Sequence, residues 1–140
     1  MREALQELLI ECQFSPLYKT APVGVSDSHE YYYNQLALGL WEGSAESLLD
    51  ATESIEKQLG RSNKGKLKPR VADIDILLFR SEIIKTSRLT IPHHALLERR
   101  FHIEGLKALV PSWTVPGSQE LFSHYQMSPM VQKQEVEILL

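Results

Sequence analysis

Two aspartates, Asp73 and Asp75, stand two residues apart inside the apolar run Val71-Ala72-Asp73-Ile74-Asp75-Ile76-Leu77-Leu78-Phe79. The run predicts a β-strand. Side chains at i and i+2 of a strand share a face, roughly 6–7 Å apart. Carboxylates so placed repel each other unless a cation lies between them. Arg70 stands at the strand entrance. An acid pair beside a guanidinium suits a magnesium-nucleotide site: oxygen ligands for the metal, a forked donor for phosphate. The plainer alternative is an antiparallel strand whose wet face carries two acids.

The 140 residues fit one ordinary domain, and 43% hydrophobic with 24% charged residues predicts a globular core. A net charge of −3, from 15 Lys+Arg against 18 Asp+Glu, speaks against a general nucleic-acid binder. The single Cys12 excludes an internal disulfide and fits a reducing compartment. No apolar run approaches the roughly 20 residues of a membrane span, and acids at Glu3 and Glu7 replace the basic start of a signal peptide. A cytoplasmic location, with no membrane partner, is the expectation.

Along the chain, Leu5, Leu8, Leu9 and Cys12 predict an amphipathic helix over 2–12. Strands are predicted over 14–20, with Pro16 marking an edge or bulge, and over 31–41, where Leu36, Leu38 and Leu40 alternate. Ser44 is a candidate N-cap for a helix whose stripe is Leu48, Leu49, Thr52, Ile55 and Leu59, with Gly60 as its stop. Residues 61–69 form a basic loop, suited to closing over phosphates. A helical region is expected over 95–109, broken near Phe101, and a last helix over 118–125. Residues 126–140 read as a tail or linker following a domain at 1–125, although Val136 to Leu140 could stand in for a strand. The element order is α+β. No P-loop, dinucleotide glycine motif or nucleophile elbow is present, and the adjacent His93 and His94 cannot readily share a tetrahedral zinc site.

Four blocks together resemble hydroxymethyldihydropterin pyrophosphokinase. They are Tyr18-Lys19-Thr20-Ala21-Pro22-Val23-Gly24, Tyr32-Tyr33-Asn34, Arg70 to Phe79, and Arg88-Leu89-Thr90-Ile91-Pro92-His93, in the family's order and spacing. The resemblance covers about residues 2 to 125. It implies a ferredoxin-like α+β sandwich with a mostly antiparallel sheet. The implied activity is transfer of pyrophosphate from ATP to a reduced pterin's hydroxymethyl oxygen, with AMP released, in folate biosynthesis. It further implies two Mg²⁺ ions held by Asp73 and Asp75, with Arg61 and Arg70 completing the catalytic set. Glu56, Arg61, Arg70, Ile76, Arg88, Thr90, His93 and Arg99 would meet the nucleotide. Thr20, Ala21, Val23, Tyr32, Asn34 and Phe101 would receive the pterin.

The chain departs from the family's pattern in two places. Members begin with an extra strand and a Gly-Ser-Asn turn, whereas Met1 falls directly at the helix. The resemblance therefore implies that a central first strand is missing: the reading frame begins late, the chain is a fragment, Val136 to Leu140 replaces the strand, or self-association covers the open edge, and a further reading makes the chain one part of a larger, fused folate-pathway polypeptide. The basic loop carries Asn63 and Leu67 where the family usually has an arginine and an aromatic, Ala21 replaces a usual proline, and His94 a usual aromatic. These departures keep open a second function: a catalytically impaired relic or fragment that acts as a binding module.

Overall fold

The computed structural model describes residues 1–21, 31–61 and 73–139. The chain is α+β, of the ferredoxin-like kind, with helices and mostly antiparallel sheets. In order come α1 (Arg2–Leu8), β1 (Ile10–Phe14), β2 (Leu17–Thr20), β3 (Tyr32–Asn34), β4 (Ala37–Leu40), α2 (Ala45–Arg61), β5 (Ile84–Lys85), β6 (Thr90–Ile91), α3 (Arg100–Leu109), α4 (Pro129–Gln132) and β7 (Val136–Leu139), with a 3-10 turn at Phe122–His124. Strand β1 pairs with β4, β5 with β6, and β2 lies between β3 and β7. The chain divides into two compact units: Met1–Cys12 with Gly39–His94, and Gln13–Leu38 with Ala95–Leu140.

In the first unit, α2 starts where Ser44 Oγ accepts the Ser47 N–H at 3.1 Å, the expected cap. Ala45, Thr52 and Ile55 recur at helical spacing and are buried. The core gathers Ala45, Phe79, Leu89 and Ile91, with Trp41, Leu48, Leu49, Ile76 and Ile84 packed against them. Past Phe79 the chain turns at Arg80, whose φ of 52° lies in the left-handed region that a β-carbon disfavours. Its guanidinium donates to the carbonyls of Trp41 and Gly43 at 3.2 and 3.4 Å, which helps to hold that turn.

In the second unit, Tyr18, Ile103 and Phe122 are almost wholly buried. The register sets Tyr18 opposite Asn34 and Thr20 opposite Tyr32 on one side. On the other, Lys19 faces Glu137 and Thr20 faces Val136. Helix α3 runs close to Leu36: a Cβ at Gly105 would come within 2.7 Å of both Leu36 methyl groups.

Several boundaries differ from the sequence expectation. Helix α1 stops at Leu8, because Leu9 is extended, so Cys12 belongs to a strand rather than to a helix face. The expected strand over 31–41 is two short strands, interrupted where the Leu36 N–H donates to Ser15 Oγ at 2.9 Å. Gly60 does not stop α2, which runs on to Arg61. Helix α3 begins only at Arg100 after a turn, and only a 3-10 turn stands where the last helix was expected. Past Tyr125, α4 and β7 are built, with Ser128 capping α4.

The largest difference concerns Asp73–Phe79, which no strand includes. A strand is a ladder, and this segment spends its polar groups otherwise. The Ile74 N–H donates to the Glu56 carboxylate, and the Leu77 carbonyl accepts the His93 N–H at 2.9 Å.

Candidate active site

The first unit carries most of the residues expected to meet metal and nucleotide. Asp73 and Asp75 are exposed, with half-buried Ile74 between them, so the alternation of an extended segment survives without a ladder. Glu56 projects from α2, and its Oε2 accepts the Ile74 N–H at 2.7 Å, a short charge-assisted bond. This fixes the backbone at the residue that separates the two aspartates. Ile76, one step further, packs on the core of the unit.

The carboxylate pair suits a hard divalent cation. Its donors are oxygens, both reach solvent, and magnesium commonly takes one or two protein carboxylates and fills its remaining positions with water and phosphate oxygens. Among the described residues no group of three or more His, Cys, Asp or Glu gathers as a complete metal cage.

Arg88 is exposed, and its Nη2 donates to Asp50 Oδ1 and Glu53 Oε1, both at 2.7 Å. The hydrogen bonds to Asp50 and then to Glu53 hold its pKa above the usual arginine value. The resemblance assigns Arg88 to the nucleotide, and nothing in the sequence signals this shared grip by α2. Thr90 is exposed on β6. His93 is half-buried, and its ring stacks on that of His94 with centroids 4.5 Å apart. Arg61 closes α2, but its side chain, like Arg70 and the basic loop over 62–69, lies outside the described residues.

The second unit carries the residues expected to receive a pterin. Asn34 Nδ2 donates to Thr20 Oγ1 at 2.8 Å, so the β2–β3 pairing brings these two polar side chains together. Tyr32 stands across from Thr20 with 54% of its surface exposed, which leaves an aromatic face for a flat ring. Phe101 lies in the first turn of α3, half-buried, with its ring edge-on to His102. Arg99 is the exposed N-cap residue of the same helix. Val23 lies outside the described residues. A polar cavity of about 450 Å³ opens beside the end of β2, lined among others by Lys19, Ala21, Tyr31, Arg100 and Gln134. Of the expected pterin residues that are described, it takes in Ala21 alone.

The sequence model of the family described as 7,8-dihydro-6-hydroxymethylpterin-pyrophosphokinase matches residues 1–111. A Haemophilus influenzae protein named 2-amino-4-hydroxy-6-hydroxymethyldihydropteridine pyrophosphokinase is 38% identical over 105 residues, 75% of this chain and 65% of that one. The Bacillus subtilis protein of the same name is 39% identical over 87 residues, 62% of this chain and 52% of that one. An Arabidopsis thaliana protein named folate synthesis bifunctional protein, mitochondrial, is 34% identical over 115 residues, 79% of this chain but only 21% of its own length. The chain thus spans between half and two thirds of the bacterial relatives. No helix among the described residues is long and apolar enough to cross a membrane.

Proposed function

The chain belongs to the 7,8-dihydro-6-hydroxymethylpterin-pyrophosphokinase family, and on that premise we propose that it transfers the terminal pyrophosphoryl group of ATP to the hydroxymethyl oxygen of a reduced pterin. In the proposed reaction the hydroxyl oxygen bonds to the β-phosphorus. The bond from that phosphorus to the α,β-bridging oxygen breaks, AMP leaves with the bridging oxygen and its electron pair, and the hydroxyl proton passes to solvent. Most of the catalysis is then positioning and charge stabilisation.

Asp73 and Asp75 would hold magnesium, which when bound neutralises the triphosphate and polarises its phosphoryl oxygens. Glu56 acts on the protein side: by fixing the Ile74 N–H it holds the backbone between the two carboxylates. Ile76 anchors the same segment in the core. Arg61, Arg70, Arg88, Thr90, His93 and Arg99 are proposed for the phosphates and ribose. Thr20, Ala21, Val23, Tyr32, Asn34 and Phe101 are proposed for the pterin, with the Thr20–Asn34 pair offering hydroxyl and amide groups to its polar edge. The pyrophosphokinase domain is proposed to span residues 1–125, with β7 joined to its sheet through the pairing with β2.

What carries this reading is the family match over residues 1–111, which takes in the exposed Asp73 and Asp75. The test is AMP release from ATP and 6-hydroxymethyl-7,8-dihydropterin with magnesium, followed by chromatography. Turnover by the wild-type chain, reduced at least a hundredfold in Asp75→Asn, is expected from the loss of a charged ligand at a phosphoryl-transfer centre, where such interactions are worth roughly 10² or more. Near-normal turnover in Asp75→Asn would refute the role of the pair. A second reading, that the chain works within a larger folate-pathway polypeptide, is supported by the bifunctional name of the Arabidopsis relative.

A further inference from the structure

The family match ends at residue 111, and the stretch beyond it contains a feature that sequence spacing does not reveal. The first N–H of α3, on Arg100, donates to Gln134 Oε1 at 2.9 Å. The same amide group donates through Nε2 to the Glu98 carbonyl at 2.8 Å. In return, Arg100 Nη1 donates to the carbonyls of Gln132 and Gln134 at 3.0 and 3.1 Å. Four hydrogen bonds thus tie one turn of chain, Gln132–Gln134, to the entry of α3. Arg99 caps that helix with its backbone alone, so Gln134 supplies the side-chain cap from 34 residues further along. Two residues past Gln134, Val136 pairs with Thr20 at the end of β2.

We propose that Gln134 and Arg100 form a clasp that positions the pterin side of the site. The clasped segment is fixed at one end to the strand bearing Thr20, which holds Asn34, and at the other to the first turn of α3, which bears Phe101. Gln134 and Arg100 are positioning residues: they act through Phe101 and Thr20, and no contact of their own with substrate is required. The proposal rests on the reading of Thr20, Asn34 and Phe101 as the pterin residues. The amide of Gln134 suits the task because it gives and accepts at once, whereas a carboxylate there would accept from Arg100 and oppose the Glu98 carbonyl.

The experiment is calorimetric titration of 6-hydroxymethylpterin into the full chain, with magnesium and a non-hydrolysable ATP analogue present, alongside hydrogen exchange at the Arg100 amide. In Gln134→Ala, exchange at Arg100 speeds up and pterin affinity falls about tenfold, the scale of a small misplacement in a positioned site. Nucleotide affinity falls by a smaller factor, because Arg99, between Glu98 and Arg100, is one of several residues proposed for the phosphates. A merely structural role would lower the melting temperature and leave the pterin constant of the folded protein unchanged, and that result overturns the proposal. Gln134→Glu, which keeps the acceptor for the Arg100 N–H, restores slow exchange there and part of the affinity. It also serves as the readable variant if the alanine form does not fold. If the wild-type chain takes up nucleotide but no pterin, the underlying reading fails and the positioning role falls with it. Fast exchange at Arg100 in the wild-type chain would instead overturn the clasp itself.

Discussion

Removing the carboxylate of Glu56 isolates one bond. Its Oε2 lies 2.7 Å from the Ile74 nitrogen, short enough for a charge-assisted hydrogen bond, and both residues are half-buried. Such bonds contribute about 1.5–3 kcal/mol net, and partial solvent access favours the lower end. In Glu56→Ala the better helix propensity of alanine returns about 0.4 kcal/mol on α2. A net destabilisation of about 1 kcal/mol is therefore expected, seen as an earlier urea midpoint without a change of slope. Glu56→Gln keeps a neutral acceptor and should lose about half as much. Hydrogen exchange localises the effect: the Ile74 amide loses its carboxylate acceptor and speeds up by more than Leu106, deep in α3, which reports only the global loss of about fivefold. Affinity for magnesium and the ATP analogue falls with it, because Ile74 separates the two proposed metal ligands. A Glu56→Ala protein as stable as wild type, with unaltered exchange at Ile74, would show that the tether contributes nothing.

Two further outcomes follow from the ionisable groups. Burial, reinforced by the charge of Glu104 and opposed by a hydrogen bond with Ser15, raises the pKa of the Tyr18 phenol above its ordinary value. A raised folded-state pKa means its contribution is fully present below the unfolded value of about 10 and is lost as pH rises through the folded one; unfolding free energy measured from pH 9 to 11.5 should fall at the alkaline end, and less so in Tyr18→Phe. Arg88 is shared by Asp50 and Glu53, so Asp50→Asn with Glu53→Gln should release it and tighten magnesium-nucleotide binding a few-fold, the modest scale of exposed ion pairs, while Arg88→Gln weakens it. Equal constants in all three proteins, measured by calorimetry at low salt, would remove Arg88 from the nucleotide set.

What the sequence made legible is what repeats along it. The α2 stripe of Leu48, Thr52 and Ile55 follows from helical spacing and faces the core or its margin. The Ser44 cap follows from local side-chain chemistry. The exposure of Asp73 and Asp75 on either side of half-buried Ile74 follows from alternation. Features that depend on a distant partner were not legible. An apolar run such as 73–79 announces extended backbone but not who pairs with it, and here a helix carboxylate and the His93 N–H take polar groups that a ladder would have used. Strand β7 was faint because Val136, Glu137, Ile138 and Leu139 do not alternate cleanly and their burial is shallow. Gln134 carries no periodic signal at all; its importance arises only from the fold that brings it to the head of α3. Gly60 misled because a glycine next to a helix end satisfies the stop rule whether or not the helix heeds it.

The approach of α3 to Leu36 couples the choice of residue at two positions. Any side chain at Gly105 would press on both methyl groups of a leucine that is 7% exposed and has little room to retreat. Gly105→Ala is met by a new Leu36 rotamer, by a smaller residue there such as valine, or by a tilt of the helix. Tilting the helix would swing Phe101, one turn earlier, away from its seat. Through the proposed pterin residue Phe101, substrate preference in relatives of this chain should therefore drift in step with the bulk at these two sites.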